Sequence, residues 1–174
     1  MRGSIRWLLP LVVVAVAGVG VAMAATASVH ASGGTVKAVK SKTFGMVLTS
    51  SSGRTLYRFT PDRKGVSVCT GACLKLWPAL LVKAGSKPTV GAGASAALLG
   101  TIKAAHWMAQ VTYAGFPLYF FAQDKKAGQM NGQGFQGKWY VVNANGALVK
   151  HAVKASAPAQ PASTGSSTGS SAWG

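Results

Sequence analysis

The sequence predicts a mainly β domain made of two homologous hairpin-based repeats, packed as one small unit with approximate two-fold symmetry. An α+β variant stays open wherever a short segment could be helical. The first observation behind this is an internal duplication. A shift of 62 residues superposes Gly53, Leu56, Tyr57, Phe59, Asp62, Lys64 and Trp77 on Gly115, Leu118, Tyr119, Phe121, Asp124, Lys126 and Trp139. That is seven identities in 25 positions, where unrelated chains of ordinary composition would give about one or two. The second is period-two alternation of apolar residues in short runs bounded by Gly, Ser and Asn. The third is the near absence of carboxylates: the chain has 2 acidic residues, Asp62 and Asp124, at equivalent places in the two repeats.

The elements follow in order. Arg2 and Arg6 precede an uncharged run over residues 7–25, with small residues at Ala22, Ala24, Ala27 and Ala31. This is the layout of a signal peptide over residues 1–31, cleaved after Ala24 or Ala31, or of an N-terminal membrane anchor where cleavage fails. No Cys lies near it to accept a lipid. Residues 32–42 read as a linker, and residues 43–154 as the two-repeat domain, with repeat 1 at about 43–82 and repeat 2 at about 105–149. In repeat 1, residues 46–60 read as strand, tight turn, strand. Repeat 2 does the same, with a strand over 108–113, a turn at Ala114 and Gly115, and a strand over 117–122. Along each second strand the Tyr and Phe share one face and the Leu takes the other. Residues 138–143 and 147–151 form a further hairpin. Periodicity leaves 95–103 as helix or strand, and Pro78 restricts any helix within 74–82 to a turn. Residues 155–174, rich in Ser, Ala, Gly and Pro and free of charge, read as a disordered tail.

The net charge is +16, spread from Arg2 to Lys154. Dispersed charge of this kind implies solubility and loose attraction to anions, so anionic envelope polymers or lipid headgroups are the expected partners. Nucleic acid is not expected, since export argues against it and no recognition motif accompanies the charge. Membrane contact is expected only through an uncleaved N-terminal segment. A surface without carboxylates also keeps nearly constant charge as pH falls through the carboxylate range near ~4. The expectation is a stability almost flat in acid.

Residues 53–62 carry Gly53, Leu56, Tyr57, Phe59 and Asp62; residues 67–80 carry Ser67, Cys69, Gly71, Cys73, Trp77, Pro78 and Leu80. In repeat 2, Gln110, Thr112, Tyr113, Gly115, Pro117, Leu118 and Tyr119 are followed by Gly128, Asn131, Gly132, Gln133, Gly134 and Trp139. Together these resemble a bacterial family of secreted repeat proteins and predicted lipoproteins with the motif Y-x-F-x-x-D, over roughly residues 43–147. The resemblance implies export and a repeat fold, and it implies no biochemical activity. One position departs: the residue after Gly115, often His in that family, is Phe116 here, so no metal role carries over to it.

Cys69 and Cys73, in C-T-G-A-C, are the 2 cysteines. In an exported small domain they are expected to form a disulfide. The alternative is a copper site in which thiolates act with His106, Met108 or Met130, because soft sulfur selects Cu(I). A redox dithiol is disfavoured because the spacing is not C-x-x-C. For Asp62 and Asp124 the local reading is a carboxylate at a strand end that accepts hydrogen bonds from the following backbone. The sharper one joins them across the two-fold as paired carboxylates for acid–base work or a cation. Arg63, Lys64, Lys125 and Lys126 crowd both, which disfavours calcium. Tyr57, Tyr119, Trp77 and Trp139 could form either an aromatic surface for sugar or a core. Among His30, His106, His151 and Ser50–Ser52 no nucleophile is paired with a base, and Gly128–Gly137 lacks the strand-to-helix setting of a phosphate loop. The expected class is therefore a non-enzymatic envelope or extracellular binding module, with an extracytoplasmic copper or redox protein as the alternative.

Overall fold

A computed structural model describes residues 34–152. Within them the chain forms strands β1 (Val36–Ser41), β2 (Gly45–Ser50) and β3 (Tyr57–Phe59), helix α1 (Ala72–Leu76), β4 (Leu81–Lys83), β5 (Leu99–Lys103), β6 (Met108–Tyr113), β7 (Phe116–Pro117) and β8 (Trp139–Val141). Two single 3-10 turns, Ala96–Leu98 and Phe135–Gly137, complete it. The strands pair antiparallel as β1–β2, β3–β8, and a sheet in the order β4–β6–β5 with β7 added to β6. The duplication and alternation thus give the mainly β, two-repeat fold that they predict.

Each repeat is completed by the other. Tyr57 and Tyr119 exchange backbone hydrogen bonds, N to O at 2.8 and 3.0 Å, so the pseudo-two-fold axis runs between them. On one side of this pair, Tyr57 is in register with Val141 of repeat 2. On the other, Tyr119 bridges Ala79 of repeat 1, the residue equivalent to Val141. Beyond Ala79, β4 pairs with β6, with Leu81 opposite Gln110. Beyond Val141, the chain runs along β2, where Leu48 N–H donates to the Val142 carbonyl at 2.8 Å. The segment after each conserved-spacing Trp therefore closes the sheet of the opposite repeat, and neither half has its full set of backbone partners alone.

Alternation then sorts the side chains. Leu56 and Leu118 enter one buried cluster with Leu48, Leu80, Val111 and Val142. Tyr57, Tyr119 and Phe121 enter a second with Trp77, Trp139 and Val141, against which Phe59 packs. Both clusters and all of these strand pairings lie inside residues 34–152, so the span has the core and backbone pairing of a self-sufficient domain.

Several boundaries differ from the sequence reading. Residues 36–41, expected within a linker, form β1 in full register with β2; the buried Val36 and Ala38, alternating with the half-buried Lys37 and Val39, carry that strand. Segment 95–103 is both a 3-10 turn and a strand, and 74–82 is the end of α1 followed by β4. The strand expected over 117–122 stops at Pro117, because Phe120 and Ala122 donate instead to Pro78 and Leu76, which belong to no strand. The hairpin over 138–151 is present: Asn143 N–H donates to Ala147 at 2.9 Å and Val149 N–H to Val141 at 2.9 Å. The signal or anchor over 1–31 and the tail over 155–174 lie outside the described residues. Among the described residues, no helix is long and apolar enough to cross a membrane.

Candidate functional site

The motif residues meet at the pseudo-two-fold axis, and they cross it. Tyr57 Oη donates to Asp124 Oδ2 at 2.6 Å, and Tyr119 Oη pairs with Asp62 Oδ2 at 2.7 Å, so each repeat's tyrosine is bonded to the other repeat's aspartate. The second oxygen of each carboxylate faces its own repeat. Asp62 Oδ1 accepts from Val68 N–H at 2.8 Å, and Asp124 Oδ1 from Asn131 N–H at 3.0 Å. The local reading of the aspartates is therefore half the account, since each also ties the two repeats together. The carboxylates are partnered by phenols rather than by one another.

Trp77 and Trp139 stack face to face on the same axis, with ring centroids 3.8 Å apart and planes 1° from parallel. Tyr57 meets Trp77 edge-on at 5.3 Å, and Tyr119 meets Trp139 edge-on at 5.2 Å. Phe121 lies on Trp77 and Phe59 on Trp139, at 4.4 and 4.3 Å. The rings are packed so closely that Gly132 has no room for a side chain; a Cβ there would fall 2.6 Å from Trp77. Tyr57, Trp77, Tyr119, Phe121 and Trp139 are all buried. They form a core and offer no open face to a sugar.

Burial sets the protonation of this centre. It pushes the Tyr57 and Tyr119 phenols well above the ordinary range, and the bonded aspartate adds to the effect in each. It also raises the Asp62 carboxyl, outweighing the Val68 N–H, the Tyr119 hydroxyl and the Arg58 charge, which favour the ionised form. Arg58, lowered by burial, lies 3.3 Å above the Phe116 ring and donates to the Gly146 carbonyl at 3.1 Å. Phe116 thus serves as a platform for a cation.

Cys69 and Cys73 are joined as a disulfide, with Cα atoms 5.4 Å apart. Their positions in repeat 2 are Asn131 and Phe135. Both sulfurs being bonded to one another, neither is a thiolate, so the copper alternative requires prior reduction. Among the described residues no three His, Cys, Asp or Glu side chains converge as a metal site would require; His106 and Cys69 line one groove.

What the surface does present is a groove of about 730 Å³ beside the disulfide. Leu74, Ala79, Leu81, Ala104 and Met108 make it apolar, Cys69 and Gln110 form part of the wall, and the exposed Lys103 and His106 lie at its rim. Sequence reasoning singled out Cys69, His106 and Met108 for a different chemistry and missed the groove. Its wall is assembled by the exchange of β4 onto β6, a long-range pairing that no local pattern encodes.

Two crossed tyrosine–aspartate bonds on a stacked tryptophan pair, with exchanged closing strands, define a tandem-repeat β module whose signature residues lie buried between the repeats. The chain belongs to the family described as a secreted repeat of unknown function, whose model matches residues 38–81 and 100–143. That match falls on the two repeats, one segment to each, and a secreted family agrees with an extracytoplasmic protein. No curated protein and no solved structure gives a significant match.

Proposed function

We propose that the protein is an exported, non-enzymatic binding module of the cell envelope, and that its ligand is a small amphiphilic anion held in the groove beside the disulfide. The observation that carries this reading is the contrast between the buried motif residues and that open, apolar groove with Lys103 and His106 at its rim. An apolar body would lie along Leu74, Leu81 and Met108, and an anionic end would meet Lys103. The lining is mainly apolar, which suits an extended apolar body. The disulfide fixes one wall against α1, a helix too short to hold itself.

Anilinonaphthalene sulfonate, an apolar ring system with one anionic group, is a suitable probe. Its fluorescence should rise on binding the folded protein, and Ala104→Phe, which fills the groove, should weaken binding at least ~10-fold. Equal binding by Ala104→Phe would place the probe elsewhere and refute the reading.

A further inference from the structure

β5 and β6 are joined by a turn over residues 105–108, closed by Met108 N–H donating to the Ala105 carbonyl at 3.2 Å. Its two central residues, His106 and Trp107, have φ of 55° and 59°. A two-residue turn with both centres left-handed suits a twisted hairpin, and it ordinarily holds Asn-Gly. A left-handed conformation is strained for a bulky residue. The turn at Ala114 and Gly115 reduces that strain with a glycine; this one keeps a tryptophan, and Trp107 is 89% exposed. Nothing in the fold requires an indole there.

The neighbourhood of Trp107 is basic. Lys83 is in register with Met108, and Lys103 with Ala109, on the strands either side of β6. Ala84 N–H donates to the Trp107 carbonyl at 2.8 Å, which fixes the turn after β4 beside the tip, and Lys87 follows in the same loop. Lys83, Lys87 and Lys103 are all exposed. The first described residue, Gly34, packs against Val82 and Pro88 at this same end. Gly34 lies nine positions after Ala25, the end of the apolar run, a reach of at most roughly 30 Å. In a chain that keeps that run, this end of the domain lies within that reach of the bilayer.

We propose that this end of the sheet docks on an anionic lipid surface, with the Trp107 indole in the headgroup region and Lys83, Lys87 and Lys103 against lipid phosphates. Indole rings settle at the membrane interface, and basic side chains around them add electrostatic attraction to anionic lipids. The proposal rests on the envelope reading above and names the surface to which the module is held. It also gives the folded domain a membrane contact independent of the N-terminal run. Docking would bring the mouth of the groove, shared by Lys103, His106 and Met108, close to the source of any membrane-derived amphiphile.

The test uses residues 34–152, cosedimented with vesicles of equimolar phosphatidylglycerol and phosphatidylcholine or of phosphatidylcholine alone. Binding should require phosphatidylglycerol and weaken with salt. Trp107→Ala should reduce it ~10-fold, and Lys83→Gln with Lys103→Gln by a similar factor, while Lys125→Gln with Lys126→Gln should change it less than ~2-fold. Trp107→Gly should lower vesicle binding and raise the melting temperature, because it relieves the left-handed backbone; a residue kept for the fold would not move the two readouts in opposite directions. Absence of binding by the unaltered domain, or binding indifferent to Trp107, overturns the proposal. Dependence on lysines anywhere in the chain without dependence on Trp107 would indicate non-specific charge attraction instead of docking through this end, and also overturns it. Probe binding in the groove, measured on the same Trp107 variants without vesicles, should be unchanged. Loss of docking with the groove intact is thus distinguishable from failure of the groove itself.

Discussion

The two repeats share a buried Tyr, Asp and Trp and a Phe packed against them, and differ in what supports them. In repeat 1, positions 69 and 73 are a disulfide; in repeat 2 the equivalent positions are Asn131, whose N–H bonds Asp124, and Phe135, whose ring packs on Trp77 and Phe121. One repeat braces its aromatic layer covalently and the other by an extra ring. The exchange of partners across the axis means that each brace also steadies the opposite repeat. Phe135 of repeat 2 leans on Trp77 of repeat 1, and the Cys69–Cys73 bridge packs in the cluster that holds Trp139.

The largest expected effect comes from breaking the layer itself. Trp77→Ala should cost about 4 kcal/mol, in the range for truncating a buried large aromatic. Trp139→Ala should cost somewhat less, since Trp77 touches Tyr57, Phe121, Phe135 and Trp139 whereas Trp139 touches Phe59, Trp77 and Tyr119. Urea unfolding midpoints of the two variants give the comparison. An equal loss would mean that Phe135 adds nothing to the brace.

Next in size is the crossed hydrogen bonding. Asp124→Asn should cost about 2 kcal/mol, because an amide has one acceptor oxygen for two donors, Tyr57 Oη and Asn131 N–H. In double-mutant cycles Tyr57→Phe should couple more strongly to Asp124→Asn than to Asp62→Asn, although Asp62 is nearer in sequence. Coupling within a repeat instead of across the axis would show the exchange to be absent in solution.

The two braces can then be weighed directly. A bridge closing so short a loop is worth about 2 kcal/mol on the chain-entropy estimate. Phe135→Ala, removing a half-buried ring, should cost about the same. Replacing both Cys69 and Cys73 by Ser should also weaken the amphiphile probe in the groove, and Phe135→Ala should not, since Cys69 lines the groove and Phe135 does not. Calorimetry on the variants separates the shared effect on stability from the unshared effect on binding.

Much of this was legible in the sequence because the duplication is legible. Equal spacing of Tyr57, Phe59, Asp62 and Trp77 with Tyr119, Phe121, Asp124 and Trp139 predicts two similar units. Period-two alternation assigns Leu56 and Tyr57 to opposite faces, as the two clusters confirm. Cys69 and Cys73 pair as an exported chain with two cysteines implies. What stayed hidden was which repeat supplies each partner. Asp62 has the same local sequence context whether it bonds Tyr57 or Tyr119, and only the tertiary exchange decides. Residues 36–41 read as a linker because Lys37 and Lys40 mask the alternation of Val36 and Ala38. Trp107 carried no turn signal, because its turn departs from the Gly and Asn that mark such places.

The smallest expected effect concerns pH and sharpens the expectation of flat acid stability. Burial raises the Asp62 carboxyl above its ordinary value of 3.8. The folded protein therefore takes up a proton at Asp62 at a higher pH than the unfolded chain does. Stability should rise as pH falls from neutral through the folded-state value, and level off below about 4, where both forms are protonated. The tyrosines act at the other end: phenols held above the ordinary range remain protonated in the fold while the unfolded chain ionises near ~10, so stability should fall as pH increases beyond that. Unfolding free energies from pH 3 to 11 would trace both limbs. Asp62→Asn should remove the acid-side rise and leave the alkaline loss carried by Tyr57. A rise that persists in Asp62→Asn would show that another group carries the acid dependence; a fall in acid would mean that the Val68, Tyr119 and Arg58 interactions outweigh burial after all.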